Sequence, residues 1–236
     1  MKKTTSVIWA GALALGLAGT AQATLFDRGG GLIYDDVLDI TWLQDANYAQ
    51  TSGYDWYGRM GWDEAIAWAE NLSYGGYDDW RLPTIIDIGN DGCNYSYNGT
   101  DCGYNVQTGS AATTVYSELA SLFYDTLGND GWYDTSGNTT GCNSTDPYCL
   151  MNTGPFINLQ SAVYWSGAEY APYTNHAWYF STFSGNQERR NKNVEFYAWA
   201  VRDGDVTKVP EPGTVLLLGA GLIGLFGAGR RQRQRC

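Results

Sequence analysis

The sequence predicts a loop-rich α+β domain. Three observations lead there: two amphipathic helical stretches near residues 65 and 120, aromatic and β-branched runs after residue 162, and long connections rich in Gly, Asn, Ser and Tyr.

Taken in order, Gly29-Gly30-Gly31 reads as a flexible lead-in, and Leu32-Ile33-Tyr34 followed by Leu38 to Leu43 reads as a β-hairpin turned at Asp35-Asp36. A phosphate-cradling loop is excluded at those glycines, because no Lys-Ser pair follows and no helix opens there. Asn47 to Arg59 is a polar, tyrosine-rich loop. From Trp62 to Leu72, the residues Trp62, Ala65, Ile66, Ala69 and Leu72 share one stripe at helical spacing, with Trp68 on its edge. Asp63 and Glu64 suit the start of the helix dipole, and Gly75-Gly76 supplies the stop.

The next stretch, Tyr77-Asp78-Asp79-Trp80-Arg81-Leu82-Pro83-Thr84, leaves helix behind, since Pro83 has no amide hydrogen and biases Leu82 towards an extended backbone. Arg81, set among acids and aromatics, is expected to form a partly buried structural clamp with Asp79 and Trp80. Its guanidinium can pair bidentately with a carboxylate while stacking on an indole. The loop to Gly109 carries Asp87, Asn90, Asp91 and Asn94, hard oxygen donors that make it a calcium candidate. Its spacing departs from an EF-hand loop, with Gly89 at a ligand position and Asn98 in place of the terminal acid, and ordinary turn chemistry is the alternative.

A second helix is expected from Val115 to Leu127, with Val115, Leu119, Leu122, Phe123 and Leu127 on its apolar side and Gly128 as its stop. Asn129 to Pro155 is another long loop. Ala162 to Gly167, His176 to Phe183 and Val194 to Arg202 read as strands, with Ser184-Gly185-Asn186 turning the chain between the second and third. Gln187 to Lys192 holds Glu188, Arg189, Arg190 and Lys192, a basic patch in acidic surroundings.

The two ends read as addresses. Residues 1–23 have the order of a secretory signal: Lys2 and Lys3, an apolar run from Val7 to Leu17, and Ala21-Gln22-Ala23 before the cut. At the other end Pro210-Glu211-Pro212 precedes an uncharged apolar run, 213–229, and a basic tail with Arg230, Arg231, Arg233 and Arg235. That order resembles a PEP-CTERM sorting signal covering residues 210–236. The resemblance implies an exosortase-type membrane enzyme as partner and a Gram-negative bacterium that makes exopolysaccharide. It also implies an inner-membrane anchor that is transient, with the protein ending at the cell surface or outside. An uncut single-span anchor is the alternative; both export residues 24–209.

Export changes the charge. Six of the 14 basic residues and one of the 25 acids lie in the ends, which leaves eight against 24 and a net charge near −16 for residues 24–209. A field of that sign repels phosphate backbones and excludes nucleic acid as a partner. The cysteines fit an oxidising compartment: Cys93 with Cys102 and Cys142 with Cys149 are the expected disulfides among three possible pairings, and zinc is the rival reading, without the tight two-residue spacing of a ribbon.

Residues 30–204 resemble the Lcl C-terminal domain family. The likeness is carried by Leu38-Asp39-Ile40-Thr41-Trp42, Trp62-Asp63-Glu64-Ala65, Gly76 to Thr84, Tyr164-Trp165-Ser166-Gly167, Ala177-Trp178-Tyr179-Phe180 and Ala198-Trp199-Ala200-Val201-Arg202. The resemblance implies a C-type-lectin-like α+β fold, two amphipathic helices packed on small antiparallel sheets, with the first and last strands side by side. The adhesin that gives the family its name recognises sulfated polysaccharides, but a charge near −16 opposes a polyanion, and the lectin calcium motifs Glu-Pro-Asn and Trp-Asn-Asp do not occur. The expected function is that of a non-catalytic surface or matrix protein binding extracellular polysaccharide, with Tyr170, Tyr173, His176, Arg189 and Arg190 as candidate contacts. The alternatives are a structural matrix component without a ligand, and an enzyme of the formylglycine-generating kind, which would need reactive cysteines. No cofactor is implied beyond the calcium candidate.

Overall fold

The computed structural model describes residues 24–86, 92–106, 117–142, 144–145 and 147–206. The leader, the sorting motif Pro210-Glu211-Pro212 and the calcium candidates Asp87, Asn90 and Asp91 lie outside the described residues.

Two sheets carry the fold. The first joins β1 (Leu25–Gly29), β2 (Leu32–Asp35), β3 (Ile40–Leu43) and β11 (Val201–Asp203) in the order β1-β2-β3-β11, all antiparallel. The first and last described strands therefore sit in one sheet. The second sheet has seven strands, in the order β4 (Arg59–Met60), β10 (Phe196–Tyr197), β7 (Val163–Glu169), β8 (His176–Ser181), β9 (Asn186–Asn191), β6 (Cys102–Tyr104) and β5 (Tyr95–Ser96). It is mixed, with β10–β7 and β5–β6 parallel. The helices are short: α1 (Tyr48–Thr51), α2 (Trp62–Glu70) and α3 (Glu118–Ala120), which continues as a π-helical stretch over Ser121–Thr126.

The balance of helix and sheet corrects the expectation of two amphipathic helices: the domain is mostly β with a few short helices. The first, α2, buries Ala65, Trp68 and Ala69, so Trp68, placed at the edge of the expected stripe, lies in the core. It ends at Glu70 with Asn71 as its cap, while Gly75 and Gly76 form the tight turn between Tyr74 and Tyr77. In the second expected helix the described part starts at Ser117, whose hydroxyl accepts the Ala120 amide at 3.2 Å and so caps α3. The chain then widens, the Leu127 amide donating to the Leu122 carbonyl at 2.8 Å. The wider turn still lets Leu119, Leu122, Phe123 and Leu127 all reach the core.

Three more corrections concern strands. The glycine lead-in is a hairpin: Gly29, Gly30 and Gly31 take positive φ between β1 and β2, a conformation open to glycine at no steric cost. Gln187 to Lys192 is mostly the interior strand β9, held because Gln187 is fully buried and bonds the Asp101 carbonyl at 2.9 Å and the Ser117 hydroxyl at 2.6 Å. Val194 to Arg202 divides into β10 and β11, strands of different sheets, and the intervening Ala198-Trp199-Ala200 crosses the core fully buried.

Five tryptophans, Trp42, Trp80, Trp165, Trp178 and Trp199, are among the largest fully buried side chains, which fixes the core as aromatic. A smaller cluster of Ile85, Cys102, Tyr170 and Trp178 lies apart from the main one. Both local disulfides form, Cys93–Cys102 and Cys142–Cys149.

Candidate functional site

The residues of the expected clamp, Asp79 and Arg81, do not pair with each other. Instead Asp79 takes Arg202 in a fork of 2.7 and 2.8 Å. Arg81 forks onto Glu118 at 2.8 Å twice and reaches Asp203 at 3.0 and 2.6 Å. The guanidinium of Arg202 lies over the ring of Tyr77, 4.1 Å from its centre, and Trp80 is buried, its indole N–H donating to the Tyr77 carbonyl at 3.2 Å. The Arg202 pairing holds the Asp79 carboxyl below its ordinary range. Burial alone would lower Arg81, but Glu118 and Asp203 outweigh it and hold the guanidinium charged beyond its usual range.

The five ligand candidates do not form one surface. Tyr170 is 4 % exposed, packed edge-on against Trp178 and with its hydroxyl accepting the Cys93 amide at 3.3 Å, so its ring is part of the small core. Tyr173 is well exposed beside it, and the Arg189 guanidinium lies 5.5 Å from the Tyr170 ring centre. His176 has its Nδ1 2.8 Å from Asn175 Oδ1. Arg190 pairs across with Ala177 while Arg189 pairs with Trp178, so the two arginines face opposite sides of the sheet.

A different surface emerges in the loop read as merely polar. Trp56 is 81 % exposed, with Tyr57 at 59 % and Tyr54 at 51 %, three large rings facing solvent within four residues of chain. The loop under them is tied on every side. The Tyr54 and Asp55 amides donate to the Ala49 carbonyl at 3.0 and 3.1 Å, and the Gln50 side-chain amide holds the Trp56 carbonyl at 3.0 Å. Asp55 Oδ1 accepts the Tyr57 and Arg59 amides at 2.8 and 2.9 Å. Burial alone would raise the Asp55 carboxyl; those amides outweigh it and leave it below its ordinary value. Arg59 lies over the Tyr57 ring at 5.4 Å and then starts β4.

One of these rings, Tyr54, lines an open groove of about 370 Å³ together with Tyr48, Ser52, Trp68, Asn71 and Ser73, among others. Its size and its mix of ring faces with amide and hydroxyl groups suit a sugar-sized ligand. Gly58 closes the loop at φ +71, and a Cβ there would meet Asn47 Oδ1 at 1.8 Å. Gly58→Ala is therefore expected to cost about 2 kcal/mol, from the left-handed backbone and the clash together, seen as a lower urea midpoint and faster proteolysis between Thr51 and Arg59. An unchanged midpoint would mean that the loop is not held as described.

Among the described residues no group of three His, Cys, Asp or Glu side chains could hold a metal ion. Asp35 is the acid that burial moves most clearly upward, but it is fully enclosed, accepting the Val37 and Leu38 amides at 3.1 Å, and serves the β2–β3 turn. The sequence signal missed for the Trp56 loop was a tryptophan between an Asx-capping acid and a tyrosine, bracketed by Gly53 and Gly58.

Residues 31–202 match the Lcl C-terminal domain, and residues 208–232 match the PEP-CTERM protein-sorting motif. Neither a curated protein nor a solved structure matches the chain. The second match marks an exported protein of the kind that an exosortase processes at the membrane of Gram-negative bacteria. The first spans most of the chain and all of both sheets but β1 and the end of β11, and on it the chain belongs to the Lcl C-terminal domain family.

Proposed function

We propose that this protein is a non-catalytic component of the cell surface or extracellular matrix that binds neutral polysaccharide through the Trp56 loop and its groove, on a C-type-lectin-like scaffold. The leader, residues 1–23, takes it across the inner membrane and is removed, and the exosortase then acts at the tail. The observation that carries the reading is Trp56: an indole 81 % exposed on a loop fixed by Ala49, Gln50 and Asp55. A ring held out by a rigid loop loses little freedom on stacking, which favours binding over burial. Neutrality of the ligand follows from the charge near −16. The bonded state of Cys93, Cys102, Cys142 and Cys149 supports a binding role over thiol chemistry.

The test is affinity electrophoresis of the secreted protein through gels containing hydroxyethylcellulose, galactomannan, dextran or the exopolysaccharide of the source cells, with and without calcium. Retardation by at least one is expected. Trp56→Ala should weaken it about tenfold, roughly the loss of one stacked ring, while the melting temperature stays put, because Trp56 packs on little. Unretarded wild type would leave a structural matrix role without a ligand.

A further inference from the structure

The seven-stranded sheet ends in two edges, β4 and β5. The Trp56 loop runs straight into β4. At the other edge four tyrosines gather. Tyr95 on β5 is 51 % exposed and Tyr97 38 %, while Tyr104 on β6 is buried beneath them. Tyr97 stacks on Tyr104, with ring centres 5.8 Å apart and planes 17° from parallel. Tyr133 meets Tyr97 and Tyr104 at 5.1 and 5.0 Å, and Tyr95 stands edge-on to Tyr97 at 5.8 Å.

The cluster is braced. The Asn105 side-chain amide donates to the Tyr97 carbonyl at 3.1 Å and the Tyr133 carbonyl at 2.9 Å, fixing two of the rings' backbones relative to each other. The Cys93–Cys102 disulfide ties the start of the segment to β6, two residues before Tyr95. Edge strands that present exposed rings are normally covered or charged. Here residues 92–142 contain no lysine or arginine at all, and Asp130 and Asp134 lie in the same stretch. A polyanion would be repelled, whereas a neutral sugar face suits stacked phenols with hydroxyl rims. Burial raises the Tyr95 and Tyr104 hydroxyls above their ordinary values, so they remain neutral donors across the physiological range.

We infer that the Tyr95–Tyr97–Tyr104–Tyr133 cluster is a second polysaccharide-stacking surface and that one domain bridges two polysaccharide chains, one at each edge of the sheet. The inference rests on the glycan-binding reading of the Trp56 loop. Six strand spacings separate the edges, roughly 29 Å at about 4.8 Å each, too far for the two ring sets to grip one sugar unit. Two separated sites on one particle turn a binder into a cross-linker, and a polymer with repeated units engages both.

The experiment pairs two readouts on the secreted protein mixed with hydroxyethylcellulose, galactomannan, dextran and the source exopolysaccharide: gel retardation, which reports any binding, and light scattering with viscosity, which report cross-linking. The wild type should do both. Trp56→Ala and the pair Tyr95→Ala with Tyr97→Ala should each remain retarded while scattering falls to that of the polymer alone, and the combined variant should lose retardation too. Tyr95→Glu, at the most exposed ring, gives the same loss of scattering if the alanine pair does not fold, as judged by near-ultraviolet circular dichroism. Wild-type scattering from the folded tyrosine variants would overturn the bridge and leave the Trp56 site standing. Loss of all retardation on removing Trp56 alone would likewise show a single site. A wild type that is never retarded removes both readings.

Discussion

Arg81→Met is expected to destabilise the domain by about 3 kcal/mol, the low end of the loss on removing one partner of a buried ion pair. All five guanidinium hydrogens of Arg81 are committed: one on Nε to Asp203, two on Nη1 to Glu118 and the Leu82 carbonyl, and two on Nη2 to Glu118 and Asp203. Methionine fills the stem but returns none of them. Glu118, whose side chain is only 12 % exposed, is then left with the Thr84 amide as partner, at 2.7 Å. The loss also falls on a junction. Arg81 and Val201 exchange both backbone bonds at 2.8 Å, so this residue ties β11, and with it the first sheet, to the start of α3. Lysine is no substitute, since a single ammonium cannot fork onto two carboxylates in a plane. The control is Asp79→Asn, which breaks the pair with Arg202 where the acid is 54 % exposed; its cost should stay near 1 kcal/mol or below. Urea unfolding of both variants is the measurement. Equal small costs would mean that the Arg81 network is ordinary surface pairing.

How far the sequence could show this depends on what each signal encodes. Helical spacing reported α2, and aromatic or β-branched content reported the β2–β3 hairpin, β7 and β8, because these elements send apolar residues into the core. Neither signal could report β1, whose residues are mostly exposed, or β9, where ladder pairing and a buried Gln187 do the work of an apolar stripe. The arginine at 81 was legible as a clamp from its neighbours, yet its partners sit 37 and 122 residues away, and no local pattern names them. The same limit explains the binding residues. Tyr170 and Trp56 look alike in sequence, aromatic residues in polar surroundings, but Tyr170 is taken into the core by Trp178 and Cys102 from other strands while Trp56 stays 81 % exposed. The spacing of cysteines, by contrast, is a local matter, and both short loops close as expected.

Trp199→Ala is expected to be the most damaging single change, about 5 kcal/mol, near or beyond the whole stability margin of many domains this size. Trp199 lies in the three residues that carry the chain from β10 in one sheet to β11 in the other, and it is 1 % exposed. Its ring meets Trp42 of β3 at 4.7 Å, Phe156 at 4.8 Å and Tyr164 of β7 at 6.0 Å, so elements of both sheets pack on one side chain. Emptying that volume leaves a cavity that no neighbour can fill without separating the sheets, which accounts for about 4 kcal/mol. The indole N–H also donates to the Leu43 carbonyl at 2.7 Å, and an orphaned buried carbonyl adds about 1 kcal/mol. Trp199→Phe separates the two contributions: it keeps most of the ring and loses the N–H, so roughly 2 kcal/mol is expected. Chemical denaturation followed by far-ultraviolet circular dichroism measures both. The coupling of the sheets predicts a single transition in the phenylalanine variant and no folded baseline for alanine. Two resolved transitions would show instead that the sheets fold independently and that Trp199 does not join them.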